Sequence, residues 1–304
     1  MRLSYLHYDV FTDTPLTGNQ LAVFLDARGL DGAQMQALTR EMNFSESTFV
    51  LPPERADTLA RVRIFTPGTE LPMAGHPTIG TTFALADIGV VQPGTARLTL
   101  GLTIGPTPVD LEWAGPRLQF AWMTQQPPRF WAPTADRQSA AAAIGLSADD
   151  LDDTLPVQRV SCGVPFLLIP VRDKARVDQA ASVPPALATL MAAGEGEHAV
   201  FLFAVEPEGA PDTVYSRMFA SGLGMTEDPA TGSASGPLGC YLVEHGVVPA
   251  GRPVRIVSRQ GVKMQRPSRI VIAVDGEPGR ITDVKVGGEA VRIGRGEIDL
   301  PDAV

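Results

Sequence analysis

Glu46, His76, Asp228 and Ser233 are the side chains whose type and neighbours point to chemistry. Glu46 stands in Asn43-Phe44-Ser45-Glu46-Ser47-Thr48-Phe49-Val50, a carboxylate flanked by hydroxyls and by apolar Phe44, Phe49 and Val50. Partial withdrawal from water raises a carboxyl pKa and brings its protonated and ionised forms within reach of each other. A single residue that takes a proton from one atom and returns it to another needs both forms. A plain solvated charge is the other reading of Glu46. His76 lies between Gly75 and Pro77, off any regular apolar face, and an ordinary imidazole there can donate or accept a proton near neutrality. Asp228, ahead of Pro229, suits both a site carboxylate and a helix N-cap.

These residues sit in turns that resemble each other. Arg63-Ile64-Phe65 leads into His76-Pro77-Thr78-Ile79-Gly80-Thr81, and Arg217-Met218-Phe219 leads into Asp228-Pro229-Ala230-Thr231-Gly232-Ser233. Aligned on His76 and Asp228, 152 residues apart, both have Pro at +1, Gly at +4 and a hydroxyl at +5, then an apolar stretch ending in Gly89 or Gly246. Upstream, Gly18-Asn19-Gln20-Leu21-Ala22-Val23-Phe24 echoes Gly163-Val164-Pro165-Phe166-Leu167-Leu168-Ile169 at an offset of 145. Two echoes in the same order point to two pseudo-equivalent halves, with a ligand expected in a cleft between them. Each turn feeds a helix start, where unpaired N–H groups and small residues such as Ala74, Gly75, Gly232, Ser233 and Ala234 let a carboxylate approach the backbone. Ordinary tight strand-to-helix turns would look the same singly.

The elements that must hold these turns are mostly strands. Runs such as YLHYDVF, NQLAVFL, STFVLP, LARVRIF, ARLTLGL, RLQFAW, FLLIPV, HAVFLFAV, VYSRMFA and RIVIAV are short, rich in Val, Ile, Phe and Leu, and closed by turn residues. Helices are predicted over 31–42, 78–88, 135–144, 183–193 and 231–244. The fold class is therefore α+β. The Pro-rich stretch Gln125 to Ala135 reads as a linker, giving domains 1–125 and 126–304, with a last strand at about 286–300 that can pack on the first domain.

Composition narrows the function. The 304 residues are 44% hydrophobic and 19% charged, enough for a real core and too little charge for disorder. A formal charge of −9 opposes a phosphate backbone, so nucleic acid is not an expected partner. No apolar run of membrane-spanning length and no signal-peptide core is read, so no membrane partner and a cytoplasmic location are expected. Cys162 and Cys240 are far apart in sequence and read as packing residues, and His7, His76, His198 and His245 form no HxH or HExxH pair, so no metal site is expected. Gly222-Leu223-Gly224 lacks the third glycine of a dinucleotide loop, and no phosphate-binding GxxxxGK[ST] loop occurs. Ser233 does not fit the GxSxG elbow of serine hydrolases.

At these residues the chain resembles the PhzF family, phenazine-biosynthesis-like proteins with a diaminopimelate epimerase-like fold. The resemblance lies in Tyr8-Asp9-Val10-Phe11 with Gly18-Asn19-Gln20-Leu21-Ala22-Val23, in Asn43 to Val50, in Pro72-Met73-Ala74-Gly75-His76-Pro77-Thr78, in Glu227-Asp228-Pro229-Ala230-Thr231-Gly232-Ser233-Ala234, and in the closing Val286-Gly287-Gly288-Glu289-Ala290-Val291. It implies two pseudo-symmetric domains, each a β-barrel-like sheet around a central helix that follows His76-Pro77 or Asp228-Pro229. It also implies a homodimer and a cofactor-independent isomerase of a small cyclic carboxylate such as 2,3-dihydro-3-hydroxyanthranilate. Glu46 matches the family's proton-shuttling glutamate, His76 and Asp228 its assisting His and Asp, and Gly18, Asn19, Ser45, Gly75, Gly232 and Ser233 its substrate-binding segments. The related two-cysteine epimerases carry a thiol in each turn; neither turn here does, so two-thiol epimerisation is rejected. A one-base racemase or epimerase, and a carboxylate-binding protein without turnover, are the alternatives.

Overall fold

The computed structural model describes residues 1–192, 199–220, 225–249 and 253–300. His198 and Gly222-Leu223-Gly224 lie outside them, as does the last residue of the helix predicted over 183–193. The chain divides into two compact units, residues 1–124 with 287–304, and residues 125–286.

In the N-terminal unit, β1 (Arg2–Val10) and β2 (Asn19–Phe24) form an antiparallel pair, and the closing strand Ala290–Asp299 pairs antiparallel with the other edge of β1. Helix α1 (Gly32–Met42) then carries the chain over to β3 (Glu46–Leu51), which runs parallel to β2. β4 (Ala60–Phe65) is antiparallel to β3, and the two-residue β5 (Glu70–Leu71) folds back on β4. Helix α2 (Gly75–Asp87) follows, then β6 (Arg97–Leu102), parallel to β4, and the meander β7 (Gly105–Ala114) and β8 (Arg117–Thr124).

α2 is buried on every side from Gly75 to Leu85 and packs on β1, β2, β3 and β8. A helix apolar or small all round is one the fold encloses rather than one with a wet face. Gly80 shows how tight the fit is: a Cβ there would meet Leu21 Cδ2 at 2.5 Å and Val10 Cγ2 at 2.8 Å. On the opposite face of β2 and β3, Phe24 stacks on Phe49 at 4.8 Å, Phe65 meets Phe49 edge-on at 5.5 Å, and Met35 and Leu38 of α1 belong to the same cluster. With a helix on each face, β2 and β3 are buried almost throughout and read as continuous rather than alternating apolar runs.

The C-terminal unit repeats this plan. β9 (Arg129–Phe130) pairs with β10 (Gln158–Ser161), and α3 (Arg137–Ala143) lies between them in sequence. β10 is antiparallel to β11 (Pro165–Pro170); α4 (Lys174–Gln179) and α5 (Pro184–Ala192) cross over to β12 (Val200–Val205), parallel to β11. β13 (Val214–Phe219) is antiparallel to β12, and the short β14 (Glu227–Asp228) folds back on it before the buried α6 (Gly232–Glu244). β15 (Val254–Gln260) runs parallel to β13, antiparallel to β16 (Ser268–Glu277), and β17 (Arg280–Gly288) follows. The architecture is α+β, with a curled sheet and a central helix in each half.

Three sequence expectations need correction. Cross-strand partners match Phe65 with Phe219, Leu71 with Asp228 and Leu102 with Gln260, and the central helices start at Gly75 and Gly232. His76 is thus the counterpart of Ser233, and its alignment with Asp228 is five residues out of register. The helix expected from 78 begins at Gly75, because Pro77 fits a first helical turn, where its missing N–H breaks no bond. The segment read as a linker is paired backbone: Gln125 N–H donates to Val284 O at 2.9 Å, Trp131 N–H to Arg159 O at 3.1 Å, and Thr134 N–H to Val157 O at 2.9 Å.

Candidate active site

In the N-terminal unit the starts of two parallel strands meet the start of α2. α1 is fixed at its head by a reciprocal capping box between Asp31 and Gln34, and ends at Asn43, whose left-handed backbone (φ 53°) turns the chain into β3. Ser45 and Glu46 enter that strand beside Asn19, the first residue of β2. Gly18 sets Asn19 in place: its φ is +69°, and a Cβ would fall 2.4 Å from Val10 O.

Glu46 Oε2 lies 3.1 Å from His76 Nδ1, and Asn19 Nδ2 lies 3.0 Å from the same nitrogen. Ser45 Oγ donates to Asn19 Oδ1 at 2.6 Å. Glu46 is 8% exposed, His76 2% and Asn19 0%, so the solvated-charge reading of Glu46 fails. Burial pushes His76 down to about 3, against an opposing backbone hydrogen bond with Gln20. The ring is therefore neutral near pH 7, its contact with Glu46 is a hydrogen bond rather than an ion pair, and the expectation that His76 exchanges a proton near neutrality is corrected. Among the described residues its Nε2 is buried without a hydrogen-bond partner.

The trio accommodates either state of Glu46. When Nδ1 carries the ring proton it donates to the Glu46 carboxylate, with the Asn19 amide turned to offer its oxygen. When Nε2 carries it, Nδ1 accepts, and a protonated Glu46 donates to it. A change of ring tautomer and a half-turn of the Asn19 amide, which exchanges its oxygen and nitrogen and makes Ser45 Oγ the acceptor, supply both arrangements.

In the C-terminal unit, Asp228 is 4% exposed and lies on β14, four residues ahead of α6. The N-cap of α6 is Thr231, so the capping role considered for Asp228 is corrected. Thr231 Oγ1 donates to Asp228 Oδ2 at 2.6 Å. Gln260 Oε1 accepts from Thr231 N–H at 3.0 Å, while its Nε2 donates to Asp228 O at 2.8 Å and Thr231 Oγ1 at 2.9 Å. Gly232 and Ser233 open α6, and the Gly232 carbonyl accepts from Gln125 Nε2 at 2.9 Å. The structure thus gathers Asn19, Ser45, Glu46 and His76 in one unit and Asp228 with Thr231 and Gln260 in the other. Sequence reading missed Thr231 and Gln260 as partners of Asp228. No local signal marks Gln260, which reaches Asp228 only through the pairing of β13 with β15.

Cys162 and Cys240 are buried with Sγ atoms 3.7 Å apart, a proximity their spacing in sequence did not reveal. The hydrogen bond shared with Cys240, then burial, push the Cys162 thiol well above its usual range, which removes it as a nucleophile. Among the described residues no three His, Cys, Asp or Glu side chains gather as a metal site, and no helix is long and apolar enough to cross a membrane.

A family model described as phenazine biosynthesis-like protein, PhzC-PhzF, matches residues 8–296. The chain belongs to the PhzC-PhzF family. Its relatives include the trans-2,3-dihydro-3-hydroxyanthranilate isomerases of Pseudomonas fluorescens, 38% identical over 98% of this chain and 99% of the relative, and of Pseudomonas aeruginosa, 36% identical over 97% and 99%. A crystal structure of a PhzF-family phenazine biosynthesis protein from Bacillus anthracis matches with a TM-score of 0.88 at 28% identity, covering 99% of this chain and 100% of that one. This PhzF-family chain is accordingly an isomerase of small molecules.

Proposed function

We propose that this PhzF-family isomerase moves a proton within a small unsaturated amino-acid-like carboxylate, with Glu46 as the group that carries it. The observation behind this reading is the 3.1 Å contact between buried Glu46 and a His76 ring that burial keeps neutral. A proton taken from a substrate carbon rests on Glu46 and not on His76, because protonating the enclosed imidazole is too unfavourable. His76 acts by orienting Glu46 and bonding it in both states, and Asn19 by holding the His76 ring. The trans-2,3-dihydro-3-hydroxyanthranilate named for the relatives is the substrate to try first, with Asp228 holding one of its hydrogen-bond donors and the amides at the α6 start its carboxylate.

The test follows deuterium from D₂O into this acid together with the change in its ultraviolet absorbance. Conversion with solvent-derived label is expected of the parent, and loss of both in Glu46→Gln. Full turnover by Glu46→Gln would remove Glu46 from the mechanism. Labelling with inversion of configuration and no absorbance change would instead identify a one-base epimerase.

A further inference from the structure

We infer that Gln260 is a positioning residue that, through Thr231, holds Asp228 as a hydrogen-bond acceptor toward the substrate. This rests on the reading of Asp228 as a substrate-holding group.

The direction of each hydrogen bond in the chain is fixed by groups that have no choice. A backbone N–H only donates, so the Gln260 atom 3.0 Å from Thr231 N is its oxygen. A backbone carbonyl only accepts, so the Gln260 atom 2.8 Å from Asp228 O is its NH₂. The amide orientation is thus set twice over. That same NH₂ lies 2.9 Å from Thr231 Oγ1 and occupies the hydroxyl as an acceptor. The Thr231 proton is then directed at the atom 2.6 Å away, Asp228 Oδ2, which must accept it. Gln260 and Thr231 are 0% and 5% exposed, so water does not scramble this polarity. The matched positions of the N-terminal unit carry Leu71, Ala74 and Leu102, so the fold does not need the polar chain for its own sake.

A carboxylate held this way offers its remaining acceptor capacity to a donor. Without Gln260, the Thr231 hydroxyl is free to turn, and Asp228 loses a charge-assisted bond of the kind that orients it.

The experiment uses the full-length protein and trans-2,3-dihydro-3-hydroxyanthranilate, comparing Gln260→Leu, Thr231→Val, Thr231→Ser, Asp228→Asn and the double variant Gln260→Leu/Asp228→Asn. Gln260→Leu and Thr231→Val are each expected to raise KM by about tenfold to a hundredfold, with kcat moved less, the scale of losing a hydrogen bond to a charged group. Thr231→Ser, which keeps the hydroxyl, should restore KM to within about threefold of the parent. The double variant should be no worse than Asp228→Asn alone, since both act on one contact. If Gln260→Leu fails to fold, the Thr231→Val and Thr231→Ser pair carries the test. An unchanged KM in Thr231→Val, or multiplicative losses in the double variant, overturns the relay. If Asp228→Asn leaves KM unchanged, or the parent does not turn over this acid, the reading of the site fails first and the relay with it.

Discussion

Matched by strand register, the two units place different chemistry at the same positions of one scaffold. Where the N-terminal unit has Glu46, the strand partner of Phe219 shows that the C-terminal unit has Ala199; where the first has His76, the second has Ser233. Conversely, Asp228, Thr231 and Gln260 stand where the first unit has Leu71, Ala74 and Leu102. What the units share is structural. Arg63 grips Glu70 through two bonds of 2.8 and 2.7 Å and lies 5.0 Å above Phe65; Arg217 grips Glu227 at 2.8 and 2.8 Å and lies 4.9 Å above Phe219. Each clamp fastens the short strand that delivers the central helix. A duplicated frame is thus kept by its ion pair and its enclosed helix, while the polar residues have been divided between the copies.

The sharpest way to break this division is at Glu46. Glu46→Gln keeps the volume and the hydrogen bond to His76 but cannot carry a proton, so turnover is expected to fall by about 10²- to 10⁴-fold with affinity nearly unchanged. Steady-state rates and calorimetry on the same preparation separate the two. A loss of affinity with a retained rate would make Glu46 a binding group like Asp228 and erase the contrast.

The clamps come next, because they share a geometry and differ in burial. The side chains of Arg217 and Glu227 are 9% and 14% exposed, against 25% and 32% for Arg63 and Glu70. Arg217 also donates to Val177 O at 3.0 Å and Ala180 O at 2.6 Å. Arg217→Leu leaves a nearly buried carboxylate alone and is expected to lose about 3 kcal/mol or more of stability in urea. Arg63→Leu exposes its partner to water and should lose about 1 kcal/mol. Equal losses would show that burial is not what separates the copies.

Gly80 tests the enclosed helix at a smaller scale. Its Cβ position is occupied by Leu21 and Val10, so Gly80→Ala gains helix propensity but overpacks the core, for a net loss of about 1 to 3 kcal/mol. In the other unit Pro237 stands at the matched position of α6, so the sheet there meets a different shape. A more stable Gly80→Ala would mean that the sheet yields.

Much of this was legible in the sequence. The apolar strands, both central helices and the candidate residues could be read because strand runs, small residues before a helix and a carboxylate among aromatics are local patterns. The register between the halves could not. His76-Pro77 and Asp228-Pro229 look alike, yet Pro77 is inside its helix and Pro229 ahead of it, and Gly80 is a packing residue where Gly232 is a helix start. The Arg-x-Phe echo followed by Glu70 or Glu227 carried the true match, visible only once the ion pairs are known. β7 was hidden by Pro106 and Pro108, and the meeting of Asp228 with Gln260 depends on strand pairing that no short window contains.

The smallest expected effect separates His76 from Ser233. The folded pKa of His76 is lowered to about 3 by burial, below the 6.5 of an exposed imidazole. Between those values the unfolded chain binds the extra proton, so stability rises with pH across the window; His76's contribution is complete above about pH 6.5 and is lost as pH falls toward 3. From pH 7.5 to 5.5 the parent should lose about 1 kcal/mol on this account. His245, lowered mainly by burial as well, acts with the same sign in the C-terminal unit. Urea unfolding of the parent and of His76→Asn at both pH values isolates the His76 share as the difference in their acid losses. Ser233→Ala should leave the acid loss of the parent unchanged, because that hydroxyl does not titrate in this range. If His76→Asn loses as much stability as the parent on acidification, the ring carries no such penalty. The proton could then rest on His76 as readily as on Glu46, and the N-terminal unit would hold two exchanging groups in place of one.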